Sequence, residues 1–487
     1  MIKNRITIDG FLLADRKLSS KEFAITFAVA GISLASNITF FISAHKEYGC
    51  LLGIGPLFYC AMQFLLLYLI KYIPINFNEV HSIADFWAKA CTGTTIARCI
   101  AILSAVSCIT STLTELFIGA EMYSILLPNT AFYRAATFFT LGLIVIGFVR
   151  YGGYKAVIKT DPLEFAIMLI AGMVLIYFVL NATNLSNATV GEMSMSLFAH
   201  NQHGASLLIF IFWDCSLNIC AALTDAVMWQ RMVALSSPKD GLQVFIRSGI
   251  WRWLLILMSP LVCIVLLHIK GNTYNTMPQF LNILLSQGDW LTYYVIFPIT
   301  LAGFTAAFFS TSYTKIIGAL YSLCYQSDCL AKFEKMDIRK QKRLIRKYLD
   351  IFSVICVLLF FVVSIIYCLE RQKLSEYIMP IMYAVWGQTA ILAPLIIYAL
   401  YKIKTRKYHV KFTKLQNTIL FAFLVLGWSI ILLGSLTRTN MFAQLSFIIA
   451  AIVVCLGLYV STSWVPRYRH WYHPKRSPRP GFSLTLG

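Results

Sequence analysis

The sequence predicts an all-α polytopic membrane protein of about twelve transmembrane helices, and three observations lead there. Hydrophobic residues make up 59% of the 487-residue chain and charged residues only 13%, about half the charged share of a soluble domain. Apolar runs of the ~20 residues that span a hydrocarbon core recur along nearly the whole sequence. The connections between them alternate between strongly basic and nearly free of Lys and Arg, the charge asymmetry of membrane loops. That alternation also accounts for the formal net charge of +20. The basic residues are spread over loops, with no folded basic domain to engage nucleic acid.

In chain order, residues 1–21 read as a polar, basic lead-in without the apolar core of a cleavable signal peptide. Apolar segments follow at 22–45, 50–72, 97–127, 132–149, 162–182, 204–229, 248–268, 289–325, 346–368, 375–401, 415–434 and 443–463. Cys99, Cys108, Cys215, Cys220, Cys263, Cys356 and Cys455 lie inside these runs and read as small hydrophobes. The lead-in (Lys3, Arg5, Arg16, Lys17), the 150–159 connection, 231–247, 332–347, 402–414 and 467–479 are basic, whereas 183–203 and 271–288 contain no Lys or Arg. The positive-inside rule then places both termini in the cytoplasm of a cell with a multi-pass protein in its plasma (inner) membrane. Residues 22–401 form a ten-helix core and 402–463 two accessory helices. A basic tail, 464–487, lies near anionic lipid heads.

Two spans carry polar interruptions that a membrane helix tolerates only where protein or a wet cavity satisfies the loosened backbone. The first reads "AGISLASNITFF", with Gly31, Ser33, Ser36, Asn37 and Thr39. The sixth reads "NICAALTDAVMWQR", with Asn218, Thr224 and Asp225. Spans one and six run in opposite directions, so the pair fits a five-plus-five inverted repeat and a transporter with its site at mid-membrane. The alternative is that these small residues serve only close helix packing. Four acids, Glu115, Glu121, Asp214 and Asp225, also lie within spans, where a carboxylate needs a cavity or a partner. His45, His81 and His203 show no metal-ligand spacing, and no glycine-rich phosphate loop is present. The chain does not read as an enzyme.

Four phrases in order carry a family resemblance: "DGFLLADRKLSSKEFAITFAVAGISLAS", "GGYKAVIKTD", "TDAVMWQRMVALSSPKDG" and "AAFFSTSYTK". With them the chain resembles the sodium:solute symporter family, whose members carry glucose, proline and sialic acid. The resemblance implies a leucine-transporter-type core and sodium-coupled symport of a small organic solute by alternating access. It implies a sodium site built from the carbonyls of Ala35, Ile38 and Ala307 and the hydroxyls of Ser310 and Thr311, with Asp161 supplying nearby negative charge. Sodium is a hard cation that prefers such oxygen donors. It is the coupling ion, with no other metal and no cofactor expected. Asp161 reads equally well as an N-cap ahead of Pro162, and the paired glycines of the hinge let the chain turn tightly.

The chain also departs from the family. Lys315 follows the Ser-Thr pair by one helical turn, where its ammonium reaches back toward Thr311 and competes with or replaces the ion. The plainer reading is that Lys315 pairs with Asp161 or Glu164, or snorkels to the surface. After Ile38 the first helix continues Thr39, Phe40, Phe41, Ile42 where sugar carriers are polar, which argues against a sugar. Asn37, Thr39, Phe41, Trp213, Asp214, Asp225 and Gln388 are the residues expected to face the solute. Phe41 and Trp213 beside Asp214 or Asp225 suit an organic cation or amino compound. The partners are thus a solute, sodium and the bilayer, and oligomeric state is not legible. Two rivals stand beside this reading: a proton-coupled or sodium-independent carrier with Lys315 at the ion site, and a solute sensor on a symporter fold. No kinase or receiver domain follows residue 463, which counts against the sensor.

Overall fold

The computed structural model describes residues 7–71, 80–91, 94–128, 130–185, 204–235, 276–286, 289–325, 337–376, 378–405, 412–437 and 440–464. The seventh expected span, 248–268, and most of the basic tail lie outside the described residues. The described residues are almost wholly helical, and pairing between extended segments is limited to one isolated bridge, Leu18 to Leu235. Among them eight helices are long and apolar enough to cross a membrane, or nine with one bent pair counted.

The lead-in is folded. A short helix, α1 (Ile8–Leu12), is capped by Thr7, and a turn with positive φ at Ala14, Asp15 and Arg16 redirects the chain. Ser19 and Glu22 then form a reciprocal capping box that starts α2 (Ser20–Val29). After a break the first span resumes as a π turn, Leu34–Thr39, leading into α3 (Phe40–Tyr48), with a 49° bend between the two halves. Next come α4 (Ile54–Lys71), the short α5 (Ile83–Ala90) and α6 (Thr94–Tyr123).

The chain from Ala131 to Leu185, α7, is helical on both sides of Gly153, which itself stands at φ 57°, ψ −164°. Its neighbours show that this is a reversal. Before Gly153, Leu141 and Phe308 meet at Gly119, and Phe148 stacks on Tyr313 at 4.0 Å. Beyond it, Glu164 faces Ser310 and Ala171 packs on Gly303. One half of α7 therefore runs along α11 (Phe297–Cys324) in the same direction and the other half in the opposite one. Spans four and five are two helices joined at a glycine hinge. A Cβ at Gly153 would sit 2.8 Å from the Phe11 ring and 3.0 Å from its carbonyl, so both conformation and space demand glycine. Exposed ion pairs flank the hinge, Lys155 Nζ to Asp15 at 2.6 Å and Arg150 Nη2 to Asp350 at 2.7 Å.

The sixth span divides into α8 (Gly204–Thr224) and α9 (Ala226–Ala234). Downstream, α10 (Met277–Ser286) precedes α11, and α12 (Ile338–Glu376) exposes Ile351, Val354, Ile355, Leu358, Val362 and Ile365 at helical spacing. That apolar stripe has the character of a lipid-facing surface. The tenth span is α13 (Ile378–Ala390) and α14 (Ala393–Lys404). The accessory pair, α15 (Lys414–Ser435) and α16 (Asn440–Tyr459), packs through Gly427 against Val454 and Gly434 against Ser446. Gln444 of α16 reaches Tyr48 at 3.3 Å and Tyr383 at 3.5 Å, tying the pair to α3 and α13.

The hinge gives a direct test. Gly153→Ala is expected to cost roughly 1–3 kcal/mol, from a strained backbone and the clash with Phe11. Gly147→Ala, on the same helix with no atom within 4 Å of the added Cβ, is expected to be neutral or slightly stabilising. Thermal unfolding of the two purified variants, read by tryptophan fluorescence, compares them.

Candidate functional site

Both polar interruptions are real breaks, each closed by side chains of its own span together with side chains from other helices. At the first, the chain leaves helical geometry at Gly31 and Ile32, and Ser33 is extended. Ser33 Oγ accepts from the Ser36 N–H at 2.8 Å and donates to Glu115 of α6, whose carboxylate also receives the Ala35 N–H at 3.2 Å. Asn37 Oδ1 accepts from the Ser33 N–H at 3.0 Å and the Ser36 hydroxyl at 3.1 Å. From α11, Thr311 Oγ1 donates to the Ile32 carbonyl at 2.9 Å. The positive end of the resumed helix thus meets a carboxylate, and the loose carbonyl meets a hydroxyl.

The second break falls at Asp225, whose extended backbone separates α8 from α9. Asp225 Oδ1 accepts the Val227 N–H at 3.0 Å and capping α9, while Oδ2 accepts the Tyr59 hydroxyl at 2.8 Å. Trp229 Nε1 donates to the Leu223 carbonyl at 2.9 Å, satisfying an acceptor left at the end of α8. Lys315 Nζ stands 3.5 Å from Asp225 Oδ1. Among the described residues, then, the salt-bridge partner of Lys315 is Asp225. It is neither Asp161 nor Glu164, because Lys315 and Thr311 share the face of α11 that looks at the breaks.

The breaks share one cavity of about 170 Å³. Of the residues expected at an ion or solute site, Ala35, Asn37, Phe41, Asp214, Asp225 and Thr311 line it. Ile38, Thr39 and Ala307 are buried beside the breaks but do not line it. Trp213 lies behind the wall, edge-on to Tyr383 at 4.6 Å, and Gln388 turns away to Thr110 at 3.4 Å. Their helices are represented instead by Leu217 and Asn218, and by Val385, Trp386 and Thr389. Tyr59, Ser107 and Ser111 also line the wall and carried no sequence signal beyond membership of a span, and Phe40, which counted against a sugar, lines it too. Glu121 serves elsewhere, bonded to Arg134 and to the Tyr367 hydroxyl.

Ser310 and Thr314 lie on the adjoining face of α11, one turn apart. Ser310 faces Asp161 and Glu164 at the hinge end of α7, and Thr314 accepts from Arg231 Nη2 at 3.4 Å. Asp161, Ser310 and Arg231 are almost wholly buried. Both oxygens of Asp161, Oε2 of Glu164 and Oγ of Ser310 have no hydrogen-bond partner among the described residues. α11 therefore presents two polar stripes, Thr311–Lys315 to the cavity and Ser310–Thr314 to Asp161.

No known family and no curated protein matches the chain by sequence. Solved structures do match over nearly its whole length. A Na+-coupled sialic acid symporter, in a substrate-bound outward-open state, aligns with a TM-score of 0.63 at 12% identity, covering 94% of this chain and 93% of that one. The manganese transporter of Eremococcus coleocola aligns at 0.56 and 13% identity over 95% and 96%. MhsT in complex with L-phenylalanine aligns at 0.54 and 11% over 91% and 99%. The fold is of the leucine-transporter type. These neighbours are membrane transporters, a class in which discontinuous helices commonly form the binding site, and in this chain the two breaks fall at Gly31–Ser33 and Asp225.

The Lys315–Asp225 pair can be weighed by a double-mutant cycle. Lys315→Met and Asp225→Asn are each expected to lower thermal stability, and the double variant to recover part of the loss, with a coupling of roughly 1–3 kcal/mol. Additive losses in the unfolding temperatures would show the two residues to be independent.

Proposed function

We propose that the protein is a secondary active transporter that moves a small organic solute together with sodium by alternating access. The observation that carries this reading is the cavity shared by two broken helices in a leucine-transporter-type fold, the arrangement in which discontinuous helices hold solute and ion at mid-membrane. The Na+ coupling of the sialic acid symporter agrees with it. The protein would reside in the plasma membrane with both termini cytoplasmic, the orientation that puts the basic hinge and lead-in inside.

The proposed sodium site adjoins a cluster of oxygens, Ser310 Oγ, both oxygens of Asp161 and Oε2 of Glu164, that have no hydrogen-bond partner among the described residues. The carbonyls of Ala35, Ile38 and Ala307 with the hydroxyls of Ser310 and Thr311 form the ion site between the first break and α11. Asp161 and Glu164 extend it toward the hinge. A set of oxygens without a soft ligand suits a hard monovalent cation. On the solute side, Asn37, Phe41, Asp214 and Asp225 belong to the cavity wall. Trp213, Thr39 and Gln388 support it from behind.

For the cavity to open toward the hinge side, the lead-in must part from α9 and α11. It is held there by Leu18 N–H to the Ala234 carbonyl at 3.1 Å, by Gln230 Nε2 to the Leu12 carbonyl at 2.7 Å, and by Asp9, which accepts the Tyr325 hydroxyl. These few polar contacts are the kind of seal that a rocking bundle breaks and remakes.

A sodium-independent carrier is the second reading, favoured by the fixed ammonium of Lys315 within the cavity. Thermal unfolding in NaCl against KCl at equal ionic strength separates the two. Sodium is expected to raise the unfolding temperature of the wild type, by mass action worth about 1–3 kcal/mol at saturating ion. Asp161→Asn and Ser310→Ala are expected to remove most of that effect. Equal curves in both salts would favour the sodium-independent carrier.

A further inference from the structure

The cavity's charged lining consists of Glu115, Asp214, Asp225 and Lys315. Two of the three carboxylates are fully committed to the chain itself. Glu115 holds the Ser33 hydroxyl and the Ala35 N–H, and Asp225 holds the Val227 N–H, the Tyr59 hydroxyl and Lys315. Asp214 is different. Its Oδ1 accepts from Asn218 Nδ2 at 2.8 Å, but Oδ2 is buried with no hydrogen-bond partner among the described residues. The residue is 3% exposed, and the backbone of Gly55 presses so closely on its carboxylate that no side chain fits there. A buried carboxylate left in this condition is costly unless a cation or a proton donor joins it.

We infer that the transported solute is a compact organic cation bearing at least one N–H, a protonated amine, and that Asp214 is its counter-ion. The inference rests on the reading of the cavity as a transport site and names the class of solute that site takes.

Three further observations agree. Both resumed half-helices already have their N-termini capped by carboxylates of the chain, so the N–H groups that would receive an anionic solute are occupied. An anion would also face a lining with more acids than bases. Asn218 spends its amide N–H groups on the Asp214 carbonyl and Oδ1, each at 2.8 Å. Its carbonyl oxygen is a further acceptor on a residue that lines the same cavity as Asp214. The wall also carries aromatic rings: Phe40 stands edge-on to Trp386 at 5.0 Å, and Phe41 and Tyr59 line the same cavity. Such rings favour a desolvated cation. The volume of about 170 Å³ sets the size, since a cavity of roughly 150 Å³ holds benzene.

A charge series of one shape tests this on the purified full-length protein. Benzylamine, benzyltrimethylammonium, benzyl alcohol and benzoate are compared by thermal shift and by calorimetry at neutral pH, up to millimolar concentration. Benzylammonium is expected to bind at least ten-fold more tightly than each of the other three, the quaternary cation failing because it has no N–H to give Oδ2. Asp214→Asn is expected to weaken benzylammonium at least ten-fold and leave benzyl alcohol unchanged. Equal or tighter binding of benzoate or benzyl alcohol, binding by none of the four, or an Asp214→Asn affinity within two-fold of wild type would overturn the assignment. The wild-type series decides alone if the variant does not fold. Proteoliposomes with an inward sodium gradient then separate the two readings. Benzylammonium that binds through Asp214 but never accumulates overturns the transport reading and leaves the counter-ion. Accumulation of labelled benzoate does the reverse.

Discussion

The site depends on one constraint: a helix broken inside an apolar slab must find partners for every backbone group it frees, because no water is there to supply them. The chain meets this with side chains from far away in sequence. Glu115 and Thr311 close the first break, and Tyr59 buttresses the aspartate that closes the second. The continuous helices α6 and α11 are therefore splints as much as walls. Moving either would unsatisfy the breaks before it disturbed any ligand.

The splinting has a chemical consequence. A helix N-terminus is best closed by a carboxylate, so each break draws an acid into the membrane, and the second acid in turn draws in Lys315. Charges that look in sequence like a binding constellation are largely spent on structure. The periodicity of α11 sorts the remainder, sending Thr311 and Lys315 to one side and Ser310 and Thr314 to the other. One helix thereby keeps the cavity apart from the oxygen cluster around Asp161 while remaining in contact with both.

Hydropathy and charge were enough to read the spans, because each is a property of about twenty consecutive residues. The breaks were also legible, since Gly31, Ser33 and Asp225 belong to polar clusters that a membrane helix tolerates only where its loosened backbone finds partners. The hinge could be read from its two glycines, although only the opposed packing of its halves against α11 separates a reversal from a kink. What the sequence withheld is helix phase. Trp213 and Gln388 are polar or aromatic in the right spans, yet a rotation of one residue puts them behind the wall and brings Asn218 and Trp386 to the front. Pairings such as Lys315 with Asp225 or Tyr59 with Asp225 are equally invisible, for they join spans whose separation carries no periodic trace. Lys315 pointed sequence reasoning toward Asp161 and Glu164 because both were near on the expected face, and the break in the sixth span supplied a nearer partner.

The ion pairs beside the Gly153 hinge give two arginine and lysine positions a double life. During synthesis, in the proposed orientation, Arg150 and Lys155 are part of the positive charge that keeps this connection from crossing the bilayer. Once the helices assemble, the same side chains are neutralised by Asp350 and Asp15 and fasten the hinge to α12 and to the lead-in. In that orientation, removing either base would touch both roles at once. Only the acidic partners, which carry little weight in orienting a nascent chain, allow the latch to be loosened without touching the address.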